Sequence, residues 1–281
     1  MSKEVKNGTM KDILDAINDV NNKNVYPVYI PSLEKTVMFR ELTTGQEKMI
    51  IKTIVDNPIY NSEFIFAIRE IIKQNCAEDI DIDKLTLIDK TSICLNMRMK
   101  SVGDEFEFIF KGGDATKLIK ISDYVSRFEN VKIPKETVIT TDDYIVTCKY
   151  PTILTEYELE KEFRTDASVE IEGAESAREA IGIVFINEIV KYIKEIVVKL
   201  PVGKEMHLDM SDFTYVNRID IIEKMGNTVL AQILDYIEKS NKDINDVLRI
   251  ELELDDDDKE KYGTDKLTSV MEAGSDFFII S

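Results

Sequence analysis

At Gly103 the hydrophobic pattern of this chain changes its period from about 3.6 residues to about 2. Upstream, Ile88, Leu95, Met99 and Val102 recur at helical spacing over 86–102; downstream, Phe106, Phe108 and Phe110 alternate with Glu105, Glu107 and Ile109. Glycine suits the left-handed position that closes a helix, so Gly103 reads as the stop between a helix and a strand. A helix handing over to a hairpin, with no regular strand-helix alternation elsewhere, predicts an α+β fold. Antiparallel hairpins pack with helices, and the C-terminal half is mainly helical.

The same reasoning places the other elements. Thr9 caps a short helix to Val20 with Ile13, Leu14 and Ile17 on its apolar side, and Asn21 to Asn24 is a polar hinge, which makes this helix an arm able to pack on a neighbour. Val28–Ile30 and Val37–Phe39 flank a turn at Pro31 to Lys35. Thr44 with Glu47 forms a capping-box pattern for a helix from Gly45 to Val55, and Ser62–Cys76 forms the next helix. Gly112, Gly113 and Asp114 turn the chain into a strand at Leu118–Ile121, and Val138–Thr140 pairs with Tyr144–Tyr150. After Pro151, helices are expected at Leu154–Phe163, Ser176–Lys199, Asp212–Met225 and Asn227–Ser240, with a polar loop at Arg164 to Glu175. Leu248 to Leu254 alternates strictly and reads as a strand. A boundary after Tyr150 divides a hairpin-and-helix domain, 1–150, from a mainly helical domain with a late strand, 151–281.

Charge and chemistry narrow the function. With 36 Lys and Arg against 54 Asp and Glu, the net charge of -18 repels a phosphate backbone and disfavours nucleic acid as a partner. Apolar runs such as Ile181 to Ile186 fall far short of the roughly 20 residues of a membrane span, and the first residues lack a signal peptide's apolar region, which points to folding in a cytoplasm. Cys76, Cys94 and Cys148 are dispersed and read as buried thiols. The single histidine, His207, falls on the polar side of an alternating segment, so neither a catalytic triad nor a zinc site is expected. Asp79, Asp81 and Asp83 open like a calcium loop, but Lys84 and Lys90 stand where glycine and a bidentate glutamate belong; Asp255 to Asp258 reads as a hydrated acidic loop. No phosphate-binding glycine motif is present, so no cofactor, metal or catalytic residue is expected. A glycosidase carboxylate pair is recognised by a cleft and a raised pKa, not by spacing, and no pair stands out among the 54 acids.

Several short motifs occur in a fixed order: Pro31-Ser32, Val37, Phe39-Arg40, Leu42-Thr43, Gly45-Gln46-Glu47-Lys48, the acidic stretch Asp81 to Asp83, and Arg98 to Gly103. Tyr150-Pro151-Thr152 and a terminal Phe277-Phe278 follow. Together they resemble the baseplate hub subunit family of T4-like contractile-tailed bacteriophages. The resemblance implies a non-enzymatic tail protein that helps to build the baseplate hub by protein-protein binding. It implies other tail or hub proteins as partners, the tape measure protein among them, and a location in the infected cell's cytoplasm or in the virion baseplate. A transient chaperone for tail proteins and a tail-borne peptidoglycan hydrolase are the alternatives. A helix over 176–199 would carry a second apolar stripe, Ile183, Ile186, Val190, Ile193 and Val197, covered either by this chain's own helices or by a partner.

Overall fold

The computed structural model describes residues 9–56, 62–110, 115–172, 177–201 and 203–278, excluding the side chains of 54–56, 165–172, 177–181, 183–184, 257 and 275–276. The chain opens with helix α1 (Met10–Lys23), hairpin β1 (Val25–Ile30) and β2 (Lys35–Arg40), and helices α2 (Thr44–Asp56), α3 (Ser62–Asn75) and α4 (Leu87–Ser101). Hairpin β3 (Glu105–Ile109) and β4 (Thr116–Lys120), a helical turn α5 (Ser122–Val125), and strands β5 (Thr137–Thr140) and β6 (Tyr144–Cys148) follow. Then come α6 (Ile153–Glu172), α7 (Ala177–Val190), β7 (Ile193–Leu200), β8 (Lys204–Asp209), α8 (Tyr215–Glu223), α9 (Asn227–Val247), β9 (Arg249–Glu253), α10 (Asp256–Tyr262) and β10 (Lys266–Val270).

All described strand pairs are antiparallel: hairpins β1-β2, β3-β4 and β9-β10, and a four-stranded sheet in the order β5-β6-β7-β8. This is the α+β class expected from the sequence. The C-terminal half holds more strand than the one late strand expected, because β7, β8 and β10 lie there too. Residues on both sides of Tyr150 share the large sheet, through β6 and β7, and one contiguous core extends from Tyr26 to Phe278.

The largest correction concerns 176–199. A single helix was expected; the chain instead turns at Lys191 and Tyr192, and Ile193–Leu200 forms an inner strand between β6 and β8. Ile193, Ile196, Val197 and Val198 are β-branched and fit a pleated surface, and pairing on both edges satisfies the strand's main chain. The 164–175 segment also differs from expectation, since α6 continues through Glu172. Helix α9 outruns the expected end at Ser240 by two turns.

The N-terminal half is locked by main-chain bonds to buried acids and carbonyls. Asp89, fully buried, accepts from the Thr86 N–H at 2.7 Å and hydroxyl at 2.8 Å, and from the Ser32 N–H at 2.8 Å. One carboxylate thus caps α4 and pins the β1-β2 turn. Gly103 ends that helix at φ 138°, a conformation that disfavours any residue with a Cβ. The α2 cap lies one residue earlier than expected: the Thr43 N–H donates to Gln46 Oε1 at 3.0 Å and the Gln46 N–H returns to Thr43 Oγ1 at 3.3 Å.

Candidate partner-binding surfaces

The five residues expected to form a partner-facing stripe do not share one helix. Ile186 and Val190 lie on α7, half-buried and buried, whereas Ile193 and Val197 are buried on β7, opposite Cys148 and Ile145. Ile183 is on α7, with its side chain outside the described residues. The stripe was an artefact of continuing the helical period across a turn, and its described members serve the core or its margin. The hairpin β1-β2 also turns its apolar face inward, since Val28, Ile30, Val37 and Phe39 are all buried.

A buried ion network lies between helices α3, α4, α6 and α7. Glu156 and Glu160 are four residues apart on α6, both buried. Lys90 of α4 pairs with Glu156, and the Ser62 hydroxyl of α3 donates to Glu160 at 2.6 Å. Burial pushes the Glu160 carboxyl above the usual carboxylate range, against the pull of the Ser62 bond and of Lys191. Burial pulls the Lys191 ammonium down, but Glu188, Glu156 and Glu160 outweigh it and hold the group charged. A desolvated acid beside a second acid is what a glycosidase needs, yet neither Glu156 nor Glu160 lines any of the three described clefts. The network reads as a packing device. Its only sequence signal was two glutamates at i and i+4 among Ile153, Leu159 and Phe163, on a face otherwise apolar.

The clefts carry mixed charge. One of about 200 Å³ lies beside β7, with Lys149, Lys194 and Arg218 facing Glu158 and Asp209. A second, about 430 Å³, has Pro134 and Tyr236 between Lys132, Lys239 and Asp243. A third, about 710 Å³, has Met49, Phe66 and Ala67 flanked by Glu63, Glu70 and Arg164.

The acidic motifs have structural roles. Asp83 is taken up by Arg69 and Lys73, at 2.8 and 2.7 Å, and Asp81 caps the short turn Ile82–Lys84. Asp255 to Asp258, expected as a loop, is a helix start: α10 begins at Asp256, and the Asp255 carboxylate accepts from the Asp258 N–H at the positive end of the helix dipole. Among the described residues no group of three His, Cys, Asp or Glu is arranged to hold a metal ion, and no helix is long and apolar enough to cross a membrane. Cys94 and Cys148 are buried and Cys76 is half-buried; all three thiols are free. His207 is exposed on β8, 3.1 Å from Glu195.

Helix α1 is the clearest unsatisfied surface. Thr9 and Asp12 form a reciprocal capping box, so its start is well defined. Met10, Ile13, Leu14, Ile17 and Val20 line one side, yet each is between 49% and 71% exposed, and the helix has no buried residue.

A family model described as T4 bacteriophage base plate protein matches residues 23–270, nearly the whole described body. The chain belongs to that family. The match begins at Lys23, the last residue of α1, so the body from β1 to β10 is the base plate family's share and α1 stands in front of it. Comparison with curated proteins and with solved structures gave no match.

Proposed function

We propose that this chain is a non-enzymatic component or assembly factor of the baseplate hub of a contractile-tailed phage, acting by binding other tail proteins. The family match over residues 23–270 carries the reading. The order of hub-like motifs from Pro31 to Gly103, and the apolar side of α1 left open to solvent, support it. The partners are other tail or hub proteins, the tape measure protein among them, met in the host cytoplasm during assembly. Quantitative proteomics of purified virions tests the role: stoichiometric presence marks a hub component, while absence despite expression in the infected cell marks a transient chaperone. The hydrolase alternative would need the buried Glu160 and Glu156 to reach a cleft, and neither lines one of the three described. A turbidity assay on purified murein decides it, since lysis by the purified chain would replace a binding role with a hydrolytic one.

A further inference from the structure

We propose that α1 is a docking helix whose Met10, Ile13, Leu14, Ile17 and Val20 side seats in an apolar groove of a different protein. The inference rests on the baseplate reading only for the partner's class, another tail protein. The five side chains fall at i, i+3, i+4, i+7 and i+10, the spacing by which an amphipathic helix anchors in a groove. Asn21 and Asn24 interrupt the same side beyond Val20, so the apolar surface extends roughly 15 Å along the axis. An isolated helix of this length is marginal in water and normally draws its stability from packing of its apolar face, which this body does not supply.

Charge and area select the occupant. The back of α1 carries Asp12, Asp15 and Asp19, with Lys11 and Lys23 at its two edges, so the polar face has a slight acidic excess, and the chain has a net charge of -18. Helices that lie on membranes carry Lys and Arg on the polar face, so an anionic lipid surface would repel this one. A second copy fits poorly as well. The five side chains offer on the order of 500 Å² against the roughly 800 Å² per partner of a stable interface, and two copies of a strongly acidic chain repel. A concave apolar groove on another protein encloses the helix on more than one side and leaves the aspartates in solvent.

Photocrosslinking in infected cells tests this with the full-length chain. A benzophenone side chain introduced as Leu14→p-benzoyl-phenylalanine should give an adduct with one other tail protein, identified by mass spectrometry of the linked peptides. The same probe at Asp15, on the back of the helix, should give little. Adding Ile17→Asp should cut the Leu14 adduct by about ten-fold or more, because an unpaired carboxylate would enter the groove. The circular dichroism and Tm of the purified variant should stay unchanged. An adduct with a second copy or with lipid, equal labelling from position 15, or an adduct indifferent to Ile17→Asp overturns the proposal. A lowered Tm overturns it too, by making the stripe part of the body's own core. An adduct with a protein outside the tail removes the baseplate reading but leaves groove docking standing, so the two fail separately.

Discussion

Arg69 grips Asp83 with two parallel bonds, Nε to Oδ1 and Nη2 to Oδ2, both 2.8 Å. Lys73 adds a third contact at 2.7 Å, and the Arg69 guanidinium stacks 4.0 Å from the Tyr157 ring of α6. The α3 helix is thereby tied both to the acidic turn and to α6. Burial raises the Asp83 carboxyl, but bonds and charge from Arg69 and Lys73 prevail and hold it below its ordinary 3.8. A carboxylate depressed in the folded state contributes stability that is complete above the unfolded value and is lost as pH falls through the folded one. Asp83→Asn should cost about 1–3 kcal/mol at pH 7, and the gap from the parent should shrink as pH falls below about 4. Urea titrations of both proteins across that range measure it; a gap that persists unchanged in acid would mean the carboxylate's charge is irrelevant.

Lys90 and Glu156 test the buried network. Removing Lys90 takes the paired cation from the buried Glu156, so Lys90→Met should destabilise by about 3–5 kcal/mol. Replacing both, Lys90→Met with Glu156→Met, should recover much of that loss in thermal unfolding. A double variant as unstable as the single one would assign the cost to packing instead of charge.

Glu160 predicts the opposite slope. Its carboxyl is raised by burial, so the folded state favours the protonated form, and stability from this group is present below the unfolded value and lost as pH rises through the folded one. Glu160→Gln keeps an acceptor for the Ser62 hydroxyl and should therefore flatten the decline in stability on the alkaline side of pH 4.5, the carboxyl's ordinary value. Denaturant midpoints collected from pH 4 to 7 show whether the decline disappears.

Thiol accessibility gives a further check. Burial pushes Cys94 and Cys148 up to about 12; Cys76, half-buried, is also raised by burial, and its Sγ donates to the Glu78 carbonyl at 3.3 Å. An aromatic disulfide reagent at pH 8 should react slowly with Cys76 alone in the native chain, and with Cys94 and Cys148 only after unfolding. Rapid labelling of Cys148 in native protein would contradict its place on the inner side of β6.

Arg98→Met should cost about 2–4 kcal/mol, because it strands the buried carbonyl of Phe277 and the half-buried carbonyl of Gly103, which the guanidinium now serves at 2.9 and 2.6 Å. Removing the segment from Phe277 onward should cost more, because two buried phenylalanines leave with the carbonyl, and the two losses should fall short of additive by the worth of the shared bond. A double-mutant cycle reading full additivity would show that Arg98 and Phe277 act separately.

What the sequence made legible was local. The change of period at Gly103, the alternation in β9 and the two strands of β1-β2 around their turn each reside within a few residues, and the structure has them there. Ile193 and Val197 misled because Lys191 and Tyr192 turn the chain without Gly or Pro, and a β-branched run also satisfies a helical stripe at every third or fourth residue. Only pairing with β6 and β8, remote in sequence, selects the strand. The Thr43 cap was missed by one residue because Thr43-Gln46 and Thr44-Glu47 are both valid capping boxes. Partner surfaces are least legible, since an exposed apolar side chain looks the same in sequence as a buried one; α1 read as an arm able to pack on a neighbour, but only its surroundings show that its apolar side is left open.

The bond from Arg98 to Phe277 also sets a schedule. Its two ends are 179 residues apart, and Phe277 packs against Phe106 and Phe278 against Phe64 in the core that the N-terminal half begins to build. At about 5–20 residues per second, that half waits roughly 10 to 35 seconds on the ribosome before the piece that closes it is made. During that interval Arg98, Phe64 and Phe106 lack the partners that Phe277 and Phe278 bring, so the seam between them closes only when the last residues of the described chain emerge.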